Sequence, residues 1–139
     1  MIEEIIKQYK YISFDMDGVI CEDPPSDKNF GMPGYVDFLN SATPLYLPKF
    51  KIYQIVSGRR KKYLNETELW LKNHNVEYEK LILKPNHISK EYTPYFKSIK
   101  YICSKSDLFI ESSKKQAEII WRLSNKPVYC VEKGVLFSA

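Results

Sequence analysis

The sequence predicts an α/β domain with a parallel sheet of about five strands and helices on both faces. Short apolar segments alternate along the chain with segments whose apolar residues recur at helical spacing, a pattern typical of strands joined by crossover helices. The strand segments are continuous apolar runs rather than alternating ones, as expected for strands buried on both faces. The length of 139 residues fits one domain, covering residues 1–139.

The first predicted elements lie on either side of a pair of aspartates. Residues 1–10 are amphipathic and predict a short helix packed on the sheet, and residues 11–16 predict the first buried strand. Residues 21–34 contain proline and glycine and predict a polar loop. Further strands are expected at residues 51–56, 80–84, 107–110 and 127–131. Further helices are expected at residues 35–42, 61–74, about 94–105 and 114–125.

Charge and cysteine content narrow the class of protein. The net charge of +4 permits anionic ligands such as phosphates but does not require nucleic acid. The sequence has three cysteines, Cys21, Cys103 and Cys130. Because their number is odd and no CxxC pair occurs, the sequence gives no indication of a disulfide framework or a zinc site. No apolar run approaches the ~20 residues that span a membrane, and the acidic amino-terminal segment is unlike a signal peptide. We therefore expect a cytoplasmic protein with no membrane contact.

Polar residues directly follow three of the predicted strands. The first strand ends at Asp15 and Asp17, the second is followed by the Ser-Gly-Arg sequence of residues 57–59, and the fourth is followed by Glu111. Ligands of open α/β sheets bind beyond the carboxyl ends of the strands, so we expect these groups to converge at one edge. Taken alone, Asp15 and Asp17 also fit a solvated turn, because Asp-Gly is a common turn signal.

The residue types at this edge indicate phosphoryl-transfer chemistry. A concentration of carboxylates from Asp15, Asp17 and Glu111 requires a hard cation, and Mg²⁺ takes oxygen ligands of this kind together with substrate phosphate. A carboxylate beside a bound metal ion is able to act as the nucleophile and form an acyl phosphate. The hydroxyl of Ser57 is placed to hydrogen-bond a phosphoryl oxygen, and a nearby lysine would neutralise charge.

Four short motifs resemble those of the haloacid dehalogenase (HAD) superfamily of phosphotransferases. The sequence FDMDG at residues 14–18 resembles the first motif, and IVSGR at residues 55–59 resembles the second. The pair Phe96-Lys97 resembles the third motif, and LFIES at residues 108–112 lies where the acidic fourth motif belongs. The four occur in the family order, and the resemblance covers nearly the whole chain.

The resemblance assigns roles to individual residues. Asp15 is expected to be the nucleophile and a metal ligand, and Asp17 the general acid and base, which also lends its main-chain carbonyl to the metal. Glu111 is expected to complete the Mg²⁺ site. Lys97 is expected to be catalytic, with Lys90 and Lys100 as alternatives for its position. The residues expected to hold the phosphate are Ser57, Gly58, Arg59 and Lys97.

One departure from the family pattern concerns the fourth motif. The family often has two acids there, whereas Glu111 is followed by Ser112 and Ser113. The second acid acts through metal-bound water in that family, so we expect weaker Mg²⁺ binding or slower turnover here. The short intervals at residues 21–34 and 61–81 also leave no room for a large cap domain, which predicts an open, Rossmann-like HAD domain with a minimal cap or none.

The resemblance implies a Mg²⁺-dependent phosphomonoester hydrolase that acts through an aspartyl-phosphate on a small phosphorylated metabolite or nucleotide. A weaker resemblance is to the phosphatase domain of polynucleotide 3′-phosphatase/5′-kinase enzymes, and it rests on the segments YQIVSGR, TELWL and QAEIIWRLSNKPVYCV. Another weak resemblance is to small HAD proteins, some of which are associated with phosphoribosyltransferases. The alternatives are a polynucleotide 3′-phosphatase, with residues 59–62 contacting a nucleic-acid end, and a catalytically weak module that binds a phosphorylated ligand or protein. The sequence leaves the choice between monomer and homo-oligomer open.

Overall fold

The computed structural model describes residues 1–138, which form a central sheet flanked by helices. The strands are β1 (Ile12–Phe14), β2 (Ile52–Arg60), β3 (Tyr78–Lys84), β4 (Leu108–Glu111), β5 (Val128–Cys130) and β6 (Val135–Phe137). The α-helices are α1 (Ile2–Ile6), α2 (Tyr35–Ser41), α3 (Leu64–Asn73), α4 (Thr93–Ile102) and α5 (Lys114–Ser124). Within residues 1–138, no helix combines the length and the apolar character that crossing a bilayer requires.

The sheet has the strand order β3-β2-β1-β4-β5-β6, in which the first five strands are parallel. The predicted parallel α/β architecture is thus confirmed, and its topology is Rossmann-like. The count of about five strands is wrong by one, because β6 pairs antiparallel with β5 through a turn that contains Gly134 at φ +63°. The segment Val135–Phe137 forms a strand because the edge of β5 offers unpaired backbone groups, a tertiary contact that the local sequence does not show.

Strand β2 is longer than predicted, and this changes where three predicted site residues lie. The sequence analysis ended this strand at residue 56, whereas the strand continues through Arg60. It pairs with β3 along this extension, with an irregular register between Ser57 and Arg60 and a final pairing of Arg60 with Lys84. Ser57, Gly58 and Arg59 therefore belong to the strand itself rather than to a loop after it.

Separate apolar cores lie on the two faces of the sheet, as expected for helices on both sides. One core joins β1 and β2 to α2 and α3, and its fully buried side chains include Phe14, Leu39 and Trp70. The other joins β2, β4 and β5 to α4 and α5. Trp70 also donates from Nε1 to the carbonyl of Ala42 at 2.9 Å, so its buried polar group is satisfied.

The topology indicates where a ligand site is expected. The order of the strands reverses direction between β1 and β4, and in α/β sheets the crevice beyond the carboxyl ends at such a point is the usual ligand site. Asp15 directly follows β1, and its main-chain N–H donates to the carbonyl of Ile110 on β4 at 2.9 Å. This bond holds the residue after β1 against the neighbouring strand at the point of reversal.

Candidate active site

A cleft of about 330 Å³ lies at this edge of the sheet. Among the predicted site residues, those that line the cleft are Asp15, Asp17, Gly58, Arg59 and Lys97. The other two predicted residues, Ser57 and Glu111, are fully buried. Ser57 Oγ accepts a hydrogen bond from the N–H of Arg59 at 3.0 Å, and Glu111 is the last residue of β4. The volume lies within the range of small-molecule sites.

Lys97 links two buried carboxylates at the base of the cleft. Its Nζ lies 3.1 Å from Asp15 Oδ1 and 2.8 Å from Glu111 Oε1, and it also donates to Gln116 Oε1 at 2.9 Å. Lys97 is 3% exposed. Of the three lysines considered from the sequence, the structure places Lys97 against Asp15, because Lys97 is on the buried face of α4 whereas Lys100 is on its exposed face.

Burial and the charges of neighbouring groups shift the pKa values of Asp15 and Lys97. Burial and the Glu111 carboxylate raise the pKa of Asp15 well above its usual range, and the Lys97 ammonium counteracts them. Burial by itself lowers the pKa of Lys97, but the two carboxylates outweigh it and the pKa of Lys97 is raised. Lys97 therefore stays charged and offsets part of the effect of burial and Glu111, which disfavour the ionised form of Asp15 that a nucleophile requires.

Both oxygens of Glu111 are occupied by protein groups. Oε1 accepts from Lys97, and Oε2 accepts from the main-chain N–H groups of Ser112 and Ser113 at 3.0 and 3.1 Å. Within residues 1–138, no group of three His, Cys, Asp or Glu side chains is arranged to hold a metal ion. Glu111 therefore has no oxygen free of hydrogen bonds from the protein, and its expected role as a Mg²⁺ ligand stays a prediction.

Asp17 is clamped by Arg59 instead of facing Asp15. The guanidinium donates to Asp17 Oδ1 at 2.7 Å and to Oδ2 at 3.1 Å, and also to Thr67 Oγ1 at 3.0 Å. Burial lowers the pKa of Arg59, but Asp17 outweighs it and the pKa is raised overall. A bidentate pair of this kind fixes the orientation of a carboxylate. The predicted contact of Arg59 with a phosphate stays a prediction.

The glycine after the aspartates allows two loops to meet. Gly18 has φ +83°, a conformation that favours glycine. A Cβ atom built on it would lie 2.6 Å from Ser112 Cβ and 2.8 Å from Asp23 Oδ2, which is too close for any side chain. Ser112 Oγ in turn donates to Asp15 Oδ2 at 3.2 Å. Gly18 thereby brings the oxygens of Asp23 and Ser112 to the side of the cleft at Asp15.

Three further cations line the cleft, and one of them, Lys84, was not predicted as a site residue from the sequence. Lys84 ends β3 opposite Arg60 of β2, and Lys90 lines the same cleft. Lys84 is 2% exposed, and its Nζ donates to Thr93 Oγ1 at 3.0 Å. Gly58 makes room for this contact, since a Cβ on it would lie 2.7 Å from Thr93 Cγ2.

Burial and then the charges of Arg60, Lys97 and Lys90 lower the pKa of Lys84. We call Arg60, Lys84 and Lys90 the basic wall of the cleft, and we call Asp15, Asp17 and Glu111, with their bound cations, the acidic wall.

A signal for one of the overlooked residues, Lys84, was present in the sequence. The rule that polar residues after parallel strands converge applies to the third strand, KLILK, as it does to the other three, and it identifies Lys84. No comparable signal identifies Asp23, because it lies in a loop whose path depends on the contact between Gly18 and Ser112. Thr67 is also a helix residue whose contact with Arg59 only the packing of α3 decides.

The fold and the cleft together define an α/β protein of Rossmann-like topology with a charged site at the strand reversal. Comparison with known proteins finds no family model that matches the chain and no curated protein of significantly similar sequence. Among solved structures, a chain of the Pnkp1/Rnl/Hen1 RNA repair complex has a similar fold, with a TM-score of 0.67 and 16% sequence identity. The similarity covers 88% of this chain and 42% of that one. The present chain thus spans less than half of its structural neighbour, and the likeness concerns the fold.

Proposed function

We propose that this protein is a HAD-type hydrolase of phosphomonoesters that acts through an aspartyl-phosphate on Asp15. The observation that carries the proposal is the position of the Asp15 carboxylate in the cleft, 3.1 Å from the Lys97 ammonium and two residues from a carboxylate held by Arg59. A nucleophile, a cation beside it and an oriented proton carrier are the groups that this reaction requires. The resemblance of the four sequence motifs supports the same reading.

The protein groups supply the two halves of the reaction. An oxygen of Asp15 forms a bond to phosphorus while the bond from phosphorus to the leaving oxygen breaks. Asp17, in its protonated form and released from its ion pair with Arg59, donates its proton to that oxygen. Water then attacks the phosphorus of the aspartyl-phosphate, Asp17 accepts the proton of the water, and the bond between phosphorus and Asp15 breaks. Inorganic phosphate leaves and the carboxylate of Asp15 is restored. Lys97 neutralises charge on the phosphoryl oxygens throughout.

The oxygen donors around Gly18 fit Mg²⁺. Mg²⁺ sites in phosphoryl-transfer proteins use one or two carboxylates with waters and substrate phosphate, and this side of the cleft offers the carboxylates of Asp15 and Asp23 and the hydroxyl of Ser112. Those side chains and the main-chain carbonyl of Asp17 would hold the ion, whereas Glu111 would position Lys97. When bound, Mg²⁺ would neutralise charge on the transferred phosphoryl group.

The test is the hydrolysis of p-nitrophenyl phosphate with and without Mg²⁺. We expect Mg²⁺-dependent turnover in the native protein and none in Asp15→Asn, because the amide is unable to form the acyl phosphate. Asp27→Asn, at an exposed position of the loop after β1, is the matched control and should keep full activity. Retained turnover in folded Asp15→Asn would show that Asp15 is not the nucleophile.

A nucleic-acid end is the second candidate substrate. Phe30 is 44% exposed at the cleft, with the Arg60 guanidinium 4.5 Å from its ring centre and Lys62 Nζ 5.6 Å from it. Aromatic rings with neighbouring cations are typical of surfaces that bind single-stranded nucleic acid, and the fold similarity to a chain of an RNA repair complex favours the same candidate. The kcat/KM of a 3′-phosphorylated oligonucleotide should fall steeply with salt, by a log–log slope of roughly −0.7 per contact. Equal salt dependence for a mononucleotide would exclude this candidate.

A catalytically weak binding module is the third candidate, and the occupied oxygens of Glu111 favour it. It predicts phosphate binding without measurable hydrolysis of any phosphomonoester. Turnover in the p-nitrophenyl phosphate assay that Asp15→Asn abolishes would exclude it.

A further inference from the structure

Lys84 is a buried cation whose charge no protein group neutralises. It lines the cleft at 2% exposure, and its ammonium group has the neutral hydroxyl of Thr93 as its hydrogen-bond partner. The ion pairs of residues 1–138 do not include it. Lys97, which is buried to the same degree, contacts two carboxylates. Burying an unpaired charge costs free energy, so the native fold is under strain at Lys84 that an anion would relieve.

The neighbours of Lys84 increase that cost. Arg60 lies directly opposite it in the register of β2 and β3, and like charges at such positions destabilise a sheet. The contacts of the Arg60 guanidinium are the carbonyl of Asn86 and the ring of Phe30, neither of which is anionic. Lys90 lines the same cleft and forms no ion pair within residues 1–138. The basic wall therefore concentrates positive charge without a carboxylate.

The basic wall is separate from the position of the scissile phosphate but close to it. Thr93, the partner of Lys84, and Lys97, the partner of Asp15, lie four residues apart on α4, which corresponds to about 6 Å along a helix axis. Thr93 is also the first residue of α4, where the helix dipole favours negative charge. Two phosphate groups on neighbouring positions of one sugar or nucleotide have a comparable separation.

We propose that Arg60, Lys84 and Lys90 form a second anion subsite, which binds another phosphate group of the same substrate while the scissile phosphate lies at Asp15 and Lys97. The proposal rests on the function proposed above and specifies its substrate class: a phosphomonoester that carries a second phosphate. That second group is a monoester in a bisphosphate and a diester in an oligonucleotide, and the subsite recognises the charge that they share.

The test compares the affinities of adenosine 3′,5′-bisphosphate and of the two adenosine monophosphates by calorimetry. Asp15→Asn is the background, because it does not turn the ligands over. We expect the bisphosphate to bind roughly 10- to 100-fold more tightly than the better monophosphate, as for hydrogen bonds to charged groups. Adding Lys84→Met should reduce this ratio to about 3-fold or less. Adding Lys80→Met, which removes an exposed lysine of the same strand outside the cleft, should leave it unchanged.

Several results would overturn the subsite. They are equal affinities for bisphosphate and monophosphate, a ratio that survives Lys84→Met, a ratio that falls equally with Lys80→Met, and no binding of any of the ligands at millimolar concentration. The proposed hydrolase function fails separately, through absence of p-nitrophenyl phosphate turnover in the native protein, and that failure leaves the affinity ratio measurable.

Two further ligands distinguish the sources of the second phosphate once the ratio is found. Ribose 1,5-bisphosphate carries both phosphates without a base, and a 3′-phosphorylated dinucleotide carries its second phosphate as a diester. A Lys84-dependent gain for either supports the subsite, and the larger gain identifies the source as a bisphosphate metabolite or a nucleic-acid end.

Discussion

On the acidic wall of the cleft every carboxylate has a cationic partner, whereas on the basic wall no cation has a carboxylate partner within residues 1–138. Asp15 and Glu111 share Lys97, and Asp17 is held by Arg59. Arg60, Lys84 and Lys90 are absent from the ion pairs of this part of the chain. Both walls lie at the same edge of one sheet, so the difference reflects side-chain pairing and not position.

The contrast separates two ways of building a charged site. The acidic wall is satisfied without a ligand. Its hydrogen bonds hold Asp15 and Asp17, the groups proposed to react, in fixed positions, as electrostatic preorganisation requires. The basic wall has no anionic partner, so an anion that binds there would stabilise the folded protein. Removing a partner should therefore destabilise the acidic wall, and removing a cation should stabilise the basic wall.

The largest effect is expected for Lys97→Met. The substitution leaves the buried carboxylates of Asp15 and Glu111 without their shared cation, so the free energy of unfolding should fall by about 3–5 kcal/mol. Phosphomonoester hydrolysis should be lost as well. Denaturant unfolding measures the stability, with Lys100→Met on the exposed face of α4 as the control. Equal stabilities of the two variants would mean that the acidic wall does not depend on Lys97.

An intermediate effect is expected when Mg²⁺ is added. An ion that binds only the folded state adds about 2.7 kcal/mol to the free energy of unfolding when its concentration is 100 times its dissociation constant. Asp23→Asn should remove most of this gain, and Glu111→Gln should retain it, because the Glu111 oxygens are occupied by Lys97 and main-chain N–H groups.

Ser112→Asp should increase the Mg²⁺ gain, because it places a carboxylate beside Asp15. Thermal unfolding with and without Mg²⁺ measures all three variants. A gain that Glu111→Gln abolishes and Asp23→Asn preserves would restore Glu111 as the metal ligand.

The smallest effect, and one of opposite sign, is expected for Lys84→Met in the absence of ligand. The pKa of Lys84 is lowered by burial and by neighbouring cations, so its charged form opposes folding below that pKa. The methionine variant should therefore be more stable at neutral pH, and Tm should rise by about 2–4 °C for each kcal/mol relieved.

The difference in stability between the native protein and Lys84→Met should shrink as the pH rises toward and past 10.5, the ordinary pKa of lysine. At such pH, Lys84 is neutral in both the folded and the unfolded state. Thermal unfolding across a pH series measures it. A loss of stability at neutral pH would show that the basic wall is not strained.

The amino-acid sequence by itself determined the architecture and the location of the site. Continuous apolar runs and helical periodicity depend on which residues follow one another, so the five parallel strands and the helices between them were predictable. Because strand ends meet at one edge, the same reading brought Asp15 and Arg59 to one cleft. Lys97, which also lines that cleft, lies on α4 and was assigned from the resemblance to the third HAD motif. The reading missed β6, which depends on pairing with the edge of β5, and it ended β2 before Arg60, whose pairing with Lys84 depends on β3.

Only the tertiary structure decided which charges neutralise one another. Glu111 has the residue type of a metal ligand, but the turn into α5 directs two N–H groups at it and α4 brings Lys97 against it. Lys84 has the residue type of a surface lysine, but the approach of Thr93 to Gly58 buries it. The physical reason is that a hydrogen bond requires a distance near 3 Å and a defined direction. Elements far apart in sequence reach that geometry only through packing, which no local pattern of residues encodes.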